Sequence, residues 1–184
     1  MRSELLGGLR LALLFPIFCC LVVIDEKARF AATAFYLLSI AAGAAQRRLP
    51  RSAREPGPLA ALEPIATPLL VLTVIMGLTV GAASTIGPAG AGIVIVSRAL
   101  VHRELARTRP AFSGPPGLAD QVVARLTVPC FILLMAPHIP GWPPVVNSHQ
   151  IGGWLFMACG LLALGLLGGD LWRAFRTSPA PAAG

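Results

Sequence analysis

The chain has 184 residues, of which 55% are hydrophobic and only 12% are charged, and its formal net charge is +7. Soluble globular domains carry about 25% charged residues, so a soluble fold would have to bury nearly all of this sequence. The long apolar runs are continuous, which excludes membrane β-strands, where apolar and polar residues alternate over about 10-residue segments. Composition therefore predicts an all-α integral membrane protein, and the positive charge is attributed to cytoplasmic arginines and not to nucleic-acid binding.

The first two predicted spans are Leu5–Ile24 and Phe30–Ala45, separated by a short charged turn at Asp25–Arg29. A helix that crosses the hydrocarbon core needs about 20 mainly apolar residues. A signal peptide is the alternative for the first span, because Arg2 and Arg10 precede or interrupt its apolar run. We expect a retained helix, since no small-residue cleavage site follows the run.

The stretch Ile65–Ser97 carries no charged residue. It is too long for one comfortable span and slightly short for two, at about 20 residues each. Gly87, Pro88 and Gly90 break a straight helix, so the sequence predicts a hairpin that turns at residues 85–90. A broken helix whose free N–H groups bind an anion or a substrate is the functional alternative for this turn.

The last two predicted spans are Leu118–Ile139 and Ile151–Gly169, joined by the loop Pro137–Gln150, which contains no Lys, Arg, Asp or Glu. Residues 1–172 are expected to form one transmembrane domain. Residues 173–184 end in a Pro/Ala-rich segment, which is typical of a disordered cytoplasmic tail.

Charge asymmetry orients the spans. With both termini inside, the clusters Arg47–Arg54 and Arg98–Arg109 fall on the cytoplasmic side, as the positive-inside rule requires. If Ile65–Ser97 were a single span, the second cluster would fall outside. The sequence therefore predicts a cytoplasmic (inner) membrane protein with about six transmembrane helices, or with four and a short re-entrant hairpin; charge counting does not separate these two.

Gly77 and Gly81 form a GxxxG pattern in the first arm of the hairpin. Small residues four apart let two helix backbones approach closely. We interpret the pair as a helix-packing contact within the chain; self-association and a site that uses exposed backbone are the alternatives.

Arg98 and Arg125 lie inside predicted helices, where an ionisable side chain is costly and is a functional candidate by default. Antiparallel neighbouring helices would bring both to the inner headgroup level, near Glu104 and Asp120. The hypothesis is that these four residues bind an anionic lipid headgroup or the phosphate of a carrier, which arginine holds bidentately. The alternative is that each arginine reaches separately to water or to a nearby carboxylate.

Catalytic, metal and cofactor sites are not predicted. His138 and His149 lie in a loop without carboxylates or cysteines, and His102 falls on the opposite side, so all three are interpreted as ordinary interfacial histidines. The four cysteines lie within spans and form no C-x-x-C pair, which is typical of packing residues.

The sequence favours a non-enzymatic role, as a small transporter, a channel-like protein or a membrane subunit of a larger complex. A membrane-embedded enzyme acting on a lipid or an isoprenoid phosphate is the alternative, with the inner arginines holding phosphate. The expected partners are the bilayer, anionic lipids at the cytoplasmic face, and other membrane subunits or further copies of the chain. A water-accessible cavity between spans would favour transport, and a pocket joining Arg98, Arg125, Glu104 and Asp120 would favour the enzyme.

Overall fold

The structure is a computed structural model that describes residues 2–23, 25–49, 63–81, 86–112, 114, 117–135 and 147–176. Every regular element within these residues is helical, which confirms the predicted all-α class. The helices are α1 (Arg2–Ala12), α2 (Leu14–Val22), α3 (Glu26–Arg48), α4 (Glu63–Gly81), α5 (Ile86–Thr108), α6 (Leu118–Met135) and α7 (Ser148–Arg176), with a 3₁₀ turn at Pro110–Phe112.

Four segments are long and apolar enough to cross a membrane, namely Glu4–Val22, α3, α6 and α7. Helix α4 adds a shorter apolar segment at Ile65–Gly81. A helical bundle with several candidate transmembrane helices is therefore confirmed.

Helices α1 and α2 together form the segment predicted as one helix over Leu5–Ile24. Only Leu13 separates them, and its backbone stays near helical values at φ −70° and ψ −18°. Pro16 explains the interruption, because it has no N–H to donate to the Ala12 carbonyl and its ring crowds that oxygen. Helices α1 and α2 therefore form one continuous helical segment with an interruption at Leu13.

Helix α3 begins earlier than predicted. The Ala28 N–H donates to the Asp25 side chain at 3.2 Å, which makes Asp25 the N-cap and Glu26 the first helical residue. The charged turn predicted at Asp25–Arg29 is therefore wrong. An aspartate accepts well from the exposed N–H groups of a first turn, and a following acidic residue complements the helix dipole.

The uncharged stretch Ile65–Ser97 is divided between α4 and α5, as the hairpin interpretation requires, and residues 82–85 lie outside the described part. Gly87, Pro88 and Gly90 do not form the turn, because α5 begins at Ile86 and contains all three in its first turns. Proline is tolerated there, since its missing N–H would have no partner in the first turn.

Helix α7 is longer at both ends than the predicted span Ile151–Gly169. Asn147 accepts from the N–H groups of His149 at 3.1 Å and Gln150 at 3.3 Å, so the helix starts inside the predicted loop. It continues to Arg176, four residues into the segment predicted as a disordered tail; residues 177–184 lie outside the described part.

Helices α1 and α2 run in the same direction, and from α2 onward consecutive helices run in opposite directions. Arg10 of α1 meets Gly43 near the end of α3. Helices α5 and α7 are parallel, because Ala91 lies against Gly160 and His102 against Asp170. The end of the bundle that carries Arg10, Arg47, Arg98, Asp120 and Asp170 is called the charged end.

The interior away from the charged end is apolar and closely packed. Tyr36 and Phe131 meet edge-on with ring centroids 5.7 Å apart, and Phe131 and Phe156 lie 4.8 Å apart. All three rings are at most 2% exposed. This aromatic cluster joins α3, α6 and α7.

The GxxxG pair lies against α2. A Cβ atom added to Gly77 would lie 2.7 Å from the Leu21 Cβ, and one added to Gly81 would collide with the Leu21 carbonyl oxygen. Glycine therefore permits a backbone approach that any other residue would prevent.

Candidate functional site

Arg98 is held between carboxylates from two other helices. Its Nη2 lies 2.7 Å from the Asp120 Oδ1 of α6 and 3.1 Å from the Asp170 Oδ2 of α7. Arg98 is only 6% exposed, so α5 brings a cation into the bundle where it is almost fully removed from solvent. Two carboxylates offset the cost of that desolvation.

His102 extends the cluster by one helical turn. Residues four apart share a helix face, so Arg98 and His102 both face α7. The His102 Nδ1 lies 3.1 Å from the Asp170 Oδ2, the same oxygen that contacts Arg98. Because an ionised carboxylate only accepts hydrogen bonds, this contact is a hydrogen bond when Nδ1 carries a proton.

The charge of this network depends on His102. Arg98 with Asp120 and Asp170 has a net formal charge of −1 when His102 is neutral. A proton on His102 would bring the sum to zero. We call these four residues the ion-pair network.

A cavity of about 520 Å³ opens beside the network, between α5, α6 and α7. It is far larger than the roughly 10–15 Å³ that one water molecule needs. We call it the charged cavity. Its lining comprises Arg98, His102, Phe112, Gly114, Gly117, Leu118, Ala119, Asp120, Gly165, Leu166, Gly169, Asp170 and Arg173.

A second cavity of about 290 Å³ lies on the other side of Arg98 and Asp120, which line both cavities. Most of its wall is apolar, and we call it the apolar cavity. Its lining comprises Arg10, Tyr36, Ile40, Arg47, Thr67, Pro68, Leu70, Val71, Ile95, Val96, Arg98, Ala99, Asp120, Val123, Ala124, Thr127, Val128, Ala163 and Leu166.

Arg10 is the second buried arginine of the charged end, with 8% exposure. Its Nη2 donates to the Thr67 Oγ1 at 3.0 Å, which links α1 to α4. Gly43 of α3 leaves room for the guanidinium, since a Cβ there would lie 2.9 Å from the Arg10 Cζ. The group is therefore fixed in position in the lining of the apolar cavity.

The structure brings together two of the four predicted headgroup-binding residues, Arg98 and Asp120. Glu104 is exposed and pairs with Arg107 at 3.5 Å within the same helix. Arg125 is exposed on α6, and neither it nor Glu104 lines the charged cavity or the apolar cavity. The binding of an anionic headgroup by this set remains a prediction.

Sequence reasoning missed Arg10, His102 and Asp170 as members of a site. His102 was interpreted as an ordinary interfacial histidine, although its spacing of four from Arg98 is a usable signal. Arg10 was visible as a lone charge in an apolar run, which is a functional signal by default. The pairing of His102 with Asp170, 68 residues later, has no local signal.

The opposite end of the bundle carries a separate polar contact, between the His149 Nδ1 and the Leu134 carbonyl oxygen at 2.9 Å. It caps the last turn of α6. Within the described residues, no group of three or more His, Cys, Asp or Glu side chains could hold a metal ion.

No family model, curated protein or solved structure matches this chain. The functional argument therefore rests on the ion-pair network and the two cavities.

Proposed function

We propose that this chain is a multi-pass protein of the cytoplasmic membrane, that it is transporter- or channel-like, and that a proton is among the species it moves. The bundle's outer surface supports a lipid environment. Large apolar side chains on it are more than 70% exposed, and water would solvate them poorly. These include Phe15, Leu118, Trp154, Leu161 and Phe175.

Six crossings, or four crossings and a shorter α4–α5 hairpin, both fit the helix lengths. Helix α4 has 19 residues, or about 28 Å, whereas the part of the 23-residue α5 that precedes Arg98 has 12 residues, or about 18 Å. Among the described residues, the four segments long and apolar enough to cross the roughly 30 Å hydrocarbon core do not include α4 or α5. The alternating helix directions fit six passes, with the charged end facing the cytoplasm as the positive-inside rule requires.

The observation that carries the transport proposal is the ion-pair network beside the charged cavity. Ionisable residues within transmembrane bundles mark ion and proton pathways, because burying them is otherwise costly. Here Arg98 and Asp170 are both almost fully buried, yet they line a space large enough for water.

The position of the cavities supports an inward-facing state. Both lie at the charged end, while the aromatic cluster of Tyr36, Phe131 and Phe156 fills the interior beyond them. Close contacts such as that of Ala91 with Gly160 leave little space between α5 and α7 above the network. Alternating access proceeds by rocking such packed helices around a fixed site.

His102 is the proposed proton acceptor. A proton from water in the charged cavity converts its imidazole to a cation, and the Asp170 carboxylate is then shared by two cations. The contact between Arg98 and Asp170 weakens as His102 competes for the same oxygen. This change weakens the attraction between α5 and α7. The packing of these two helices against each other is therefore the part of the bundle that would rearrange.

Proton flux into liposomes tests the proposal. Purified protein is reconstituted with the pH dye pyranine inside, and valinomycin with potassium holds the voltage at zero while an acid step is applied outside. The wild type should acidify the interior faster than empty liposomes. His102→Asn keeps a hydrogen-bonding group near Asp170 but cannot take up the proton, so its flux should fall to the level of empty liposomes.

Glu104→Gln is the matched control, because Glu104 lies on the same helix but is exposed and outside both cavities. It should retain wild-type flux. Flux equal to that of empty liposomes for the wild type would refute the proposal and favour a non-transporting membrane subunit. Unchanged flux in His102→Asn would refute the role of the network.

The enzyme alternative has less support. It requires Arg98, Arg125, Glu104 and Asp120 around one pocket that opens to lipid. Arg125 and Glu104 are exposed and line neither cavity, so the phosphate site of that hypothesis is not assembled.

A further inference from the structure

We infer that the apolar cavity binds a neutral, mainly apolar molecule of about ten to twelve carbon atoms, such as a short alkyl or prenyl chain without an ionised group. This inference goes beyond the proposed function and does not rest on it, because it concerns a different cavity and a ligand other than a proton. Four features of the cavity support it: its charge balance, its wall, its size and its place in the bundle.

The charged groups of the cavity lining already have partners. Arg98 contacts Asp120 at 2.7 Å and Asp170 at 3.1 Å. Arg10 and Arg47 likewise have partners within the protein. An ionised ligand would lose its hydration in this cavity and would find the opposite charges engaged, which is costly. The charge balance therefore favours a ligand without charge.

The rest of the lining is mainly aliphatic. Leu70, Val71, Val96 and Ala163 line the cavity, and each is at most 6% exposed. The hydroxyl of Thr127, a polar group of this wall, donates to a backbone carbonyl of its own helix at 2.7 Å. A buried water needs two to four polar partners, which an aliphatic wall does not supply. Water therefore fills this part of the cavity poorly, whereas a hydrocarbon chain would cover the aliphatic surface and restore dispersion contacts.

The size of the cavity suits a small organic molecule. Its volume is about 290 Å³. A dry apolar cavity of about 150 Å³ holds one benzene molecule, so a cavity of about twice that volume has room for about ten to twelve carbon atoms. The lining extends along α3 from Tyr36 to Arg47, which is about 16 Å at 1.5 Å per residue. An extended chain fits these dimensions better than a compact ring system.

The cavity lies inside the bundle and is not a groove on its outer surface. Its lining draws residues from α1, α3, α4, α5, α6 and α7. Exposed apolar side chains such as Phe15 and Trp154 are not part of it. Because the lining is internal and of limited volume, binding should be saturable. It can therefore be distinguished from dissolution of the ligand in the bilayer around the protein.

Photolabelling tests the inference. The protein is reconstituted in phosphatidylcholine vesicles with 1-decanol that carries a diazirine in its chain, and labelled residues are mapped by peptide mass spectrometry. Label should appear on the lining segments of α4, α5 and α6, and excess 1-decanol should remove it. Label on exposed residues such as Leu161 reports dissolved probe and should not be displaced. Label confined to exposed residues, or cavity label that excess 1-decanol leaves in place, would overturn the inference.

Charged analogues test the class of ligand. Decyl sulfate and decyltrimethylammonium share the chain of 1-decanol but carry a permanent charge. Neither should displace the cavity label at concentrations at which 1-decanol removes it. Displacement by decyl sulfate would indicate an anion site, and displacement by decyltrimethylammonium would indicate a cation site. Either result would contradict the binding of a neutral ligand.

Two substitutions that fill the cavity locate the site. Val71→Phe adds volume from α4, and Ala163→Leu adds volume from α7. Each should lower labelling of the cavity by about 10- to 100-fold, because a ligand would then have to overpack the space that remains. Val80→Phe is the matched control, because Val80 also lies on α4 but is 63% exposed.

Circular dichroism establishes that each variant is folded. Cavity label equal to that of the wild type in both filling variants, or an equal loss in Val80→Phe, would contradict this location. Where a filling variant does not fold, displacement of the label by 1-decanol on the wild type decides the matter. Binding is measured without a proton gradient, so it can fail when proton flux succeeds and succeed when proton flux fails.

Discussion

Arg98 is the residue at which three helices meet. Its guanidinium joins α5 to Asp120 of α6 and to Asp170 of α7, and all three groups are removed from bulk water to a large extent. Buried ion pairs add little stability over apolar packing, but removing one partner leaves a charge without compensation. The network should therefore be sensitive to the loss of a single carboxylate.

We predict that Asp170→Asn lowers the free energy of unfolding by about 1–3 kcal/mol, since Asp120 still compensates Arg98 in part. Thermal unfolding in detergent measures the effect. Glu104→Gln removes an exposed carboxylate whose pair with Arg107 is worth less than about 1 kcal/mol, so it should leave the unfolding temperature nearly unchanged. Equal effects of the two substitutions would mean that the Asp170 contacts do not stabilise the bundle.

The sequence identified Arg98 because it is a charge inside an apolar helix, and Asp120 because it would lie close enough to pair with a neighbouring arginine. It did not identify His102 and Asp170, because their contact joins residues 68 apart in the chain and depends on how α5 and α7 pack. Arg125 is the opposite case, a residue that the sequence favours as part of a site although it lies on the outside of the bundle. Its position in a helix makes it a candidate, but the rotation of the helix about its axis decides whether it faces a cavity or the outside.

At the scale of elements, glycine determines how closely α4 approaches α2. Leu21 lies where side chains at Gly77 and Gly81 would project. We predict that the double substitution of both glycines by Leu forces the helices apart and destabilises the bundle by at least about 1–3 kcal/mol, the usual cost of overpacking. Thermal unfolding of the purified variant measures the loss.

Gly168→Leu in α7 provides the control for this prediction. A Cβ at Gly168 would meet no atom within 4 Å, so a larger side chain there has room. Its unfolding temperature should stay near that of the wild type. A double Gly77/Gly81 variant as stable as Gly168→Leu would show that the close approach contributes nothing to stability.

Helix existence was predictable from the apolar runs, but helix ends were not. The sequence predicts a charged turn at Asp25, but the Asp25 side chain caps α3. The sequence also predicts a hairpin turn at Pro88, but Pro88 lies in the first turn of α5, where proline is tolerated. In each case the residue type indicates that a helix end is near. Local hydrogen bonding then decides whether the residue lies inside or outside the helix.

At the scale of the whole molecule, charge and packing divide the bundle into two ends. The ion-pair network, both cavities and the arginines that line them lie at the charged end. The aromatic cluster lies beyond them, and His149 caps α6 at the opposite end. Charge counting along the sequence separates the same two ends, because alternating helices return each basic loop to one side.

This division predicts the orientation in the membrane. Both termini, the Arg47–Arg54 segment and the Arg103–Arg109 segment should face the cytoplasm, and the start of α7 should face outside. Thr108 and Gln150 are exposed residues near these two faces. With an impermeant thiol reagent on intact cells, Gln150→Cys should label directly, and Thr108→Cys should label only after permeabilisation.

The wild type controls for the four native cysteines, which lie within apolar helices and should not react with an impermeant reagent. Labelling of Thr108→Cys from outside intact cells would place the end of α5 on the wrong face. The stretch Ile65–Ser97 would then cross the membrane once, and the arginines of the charged end could not share one side. Protection at Thr108 with labelling at Gln150 requires an odd number of crossings between these two residues, which α6 supplies.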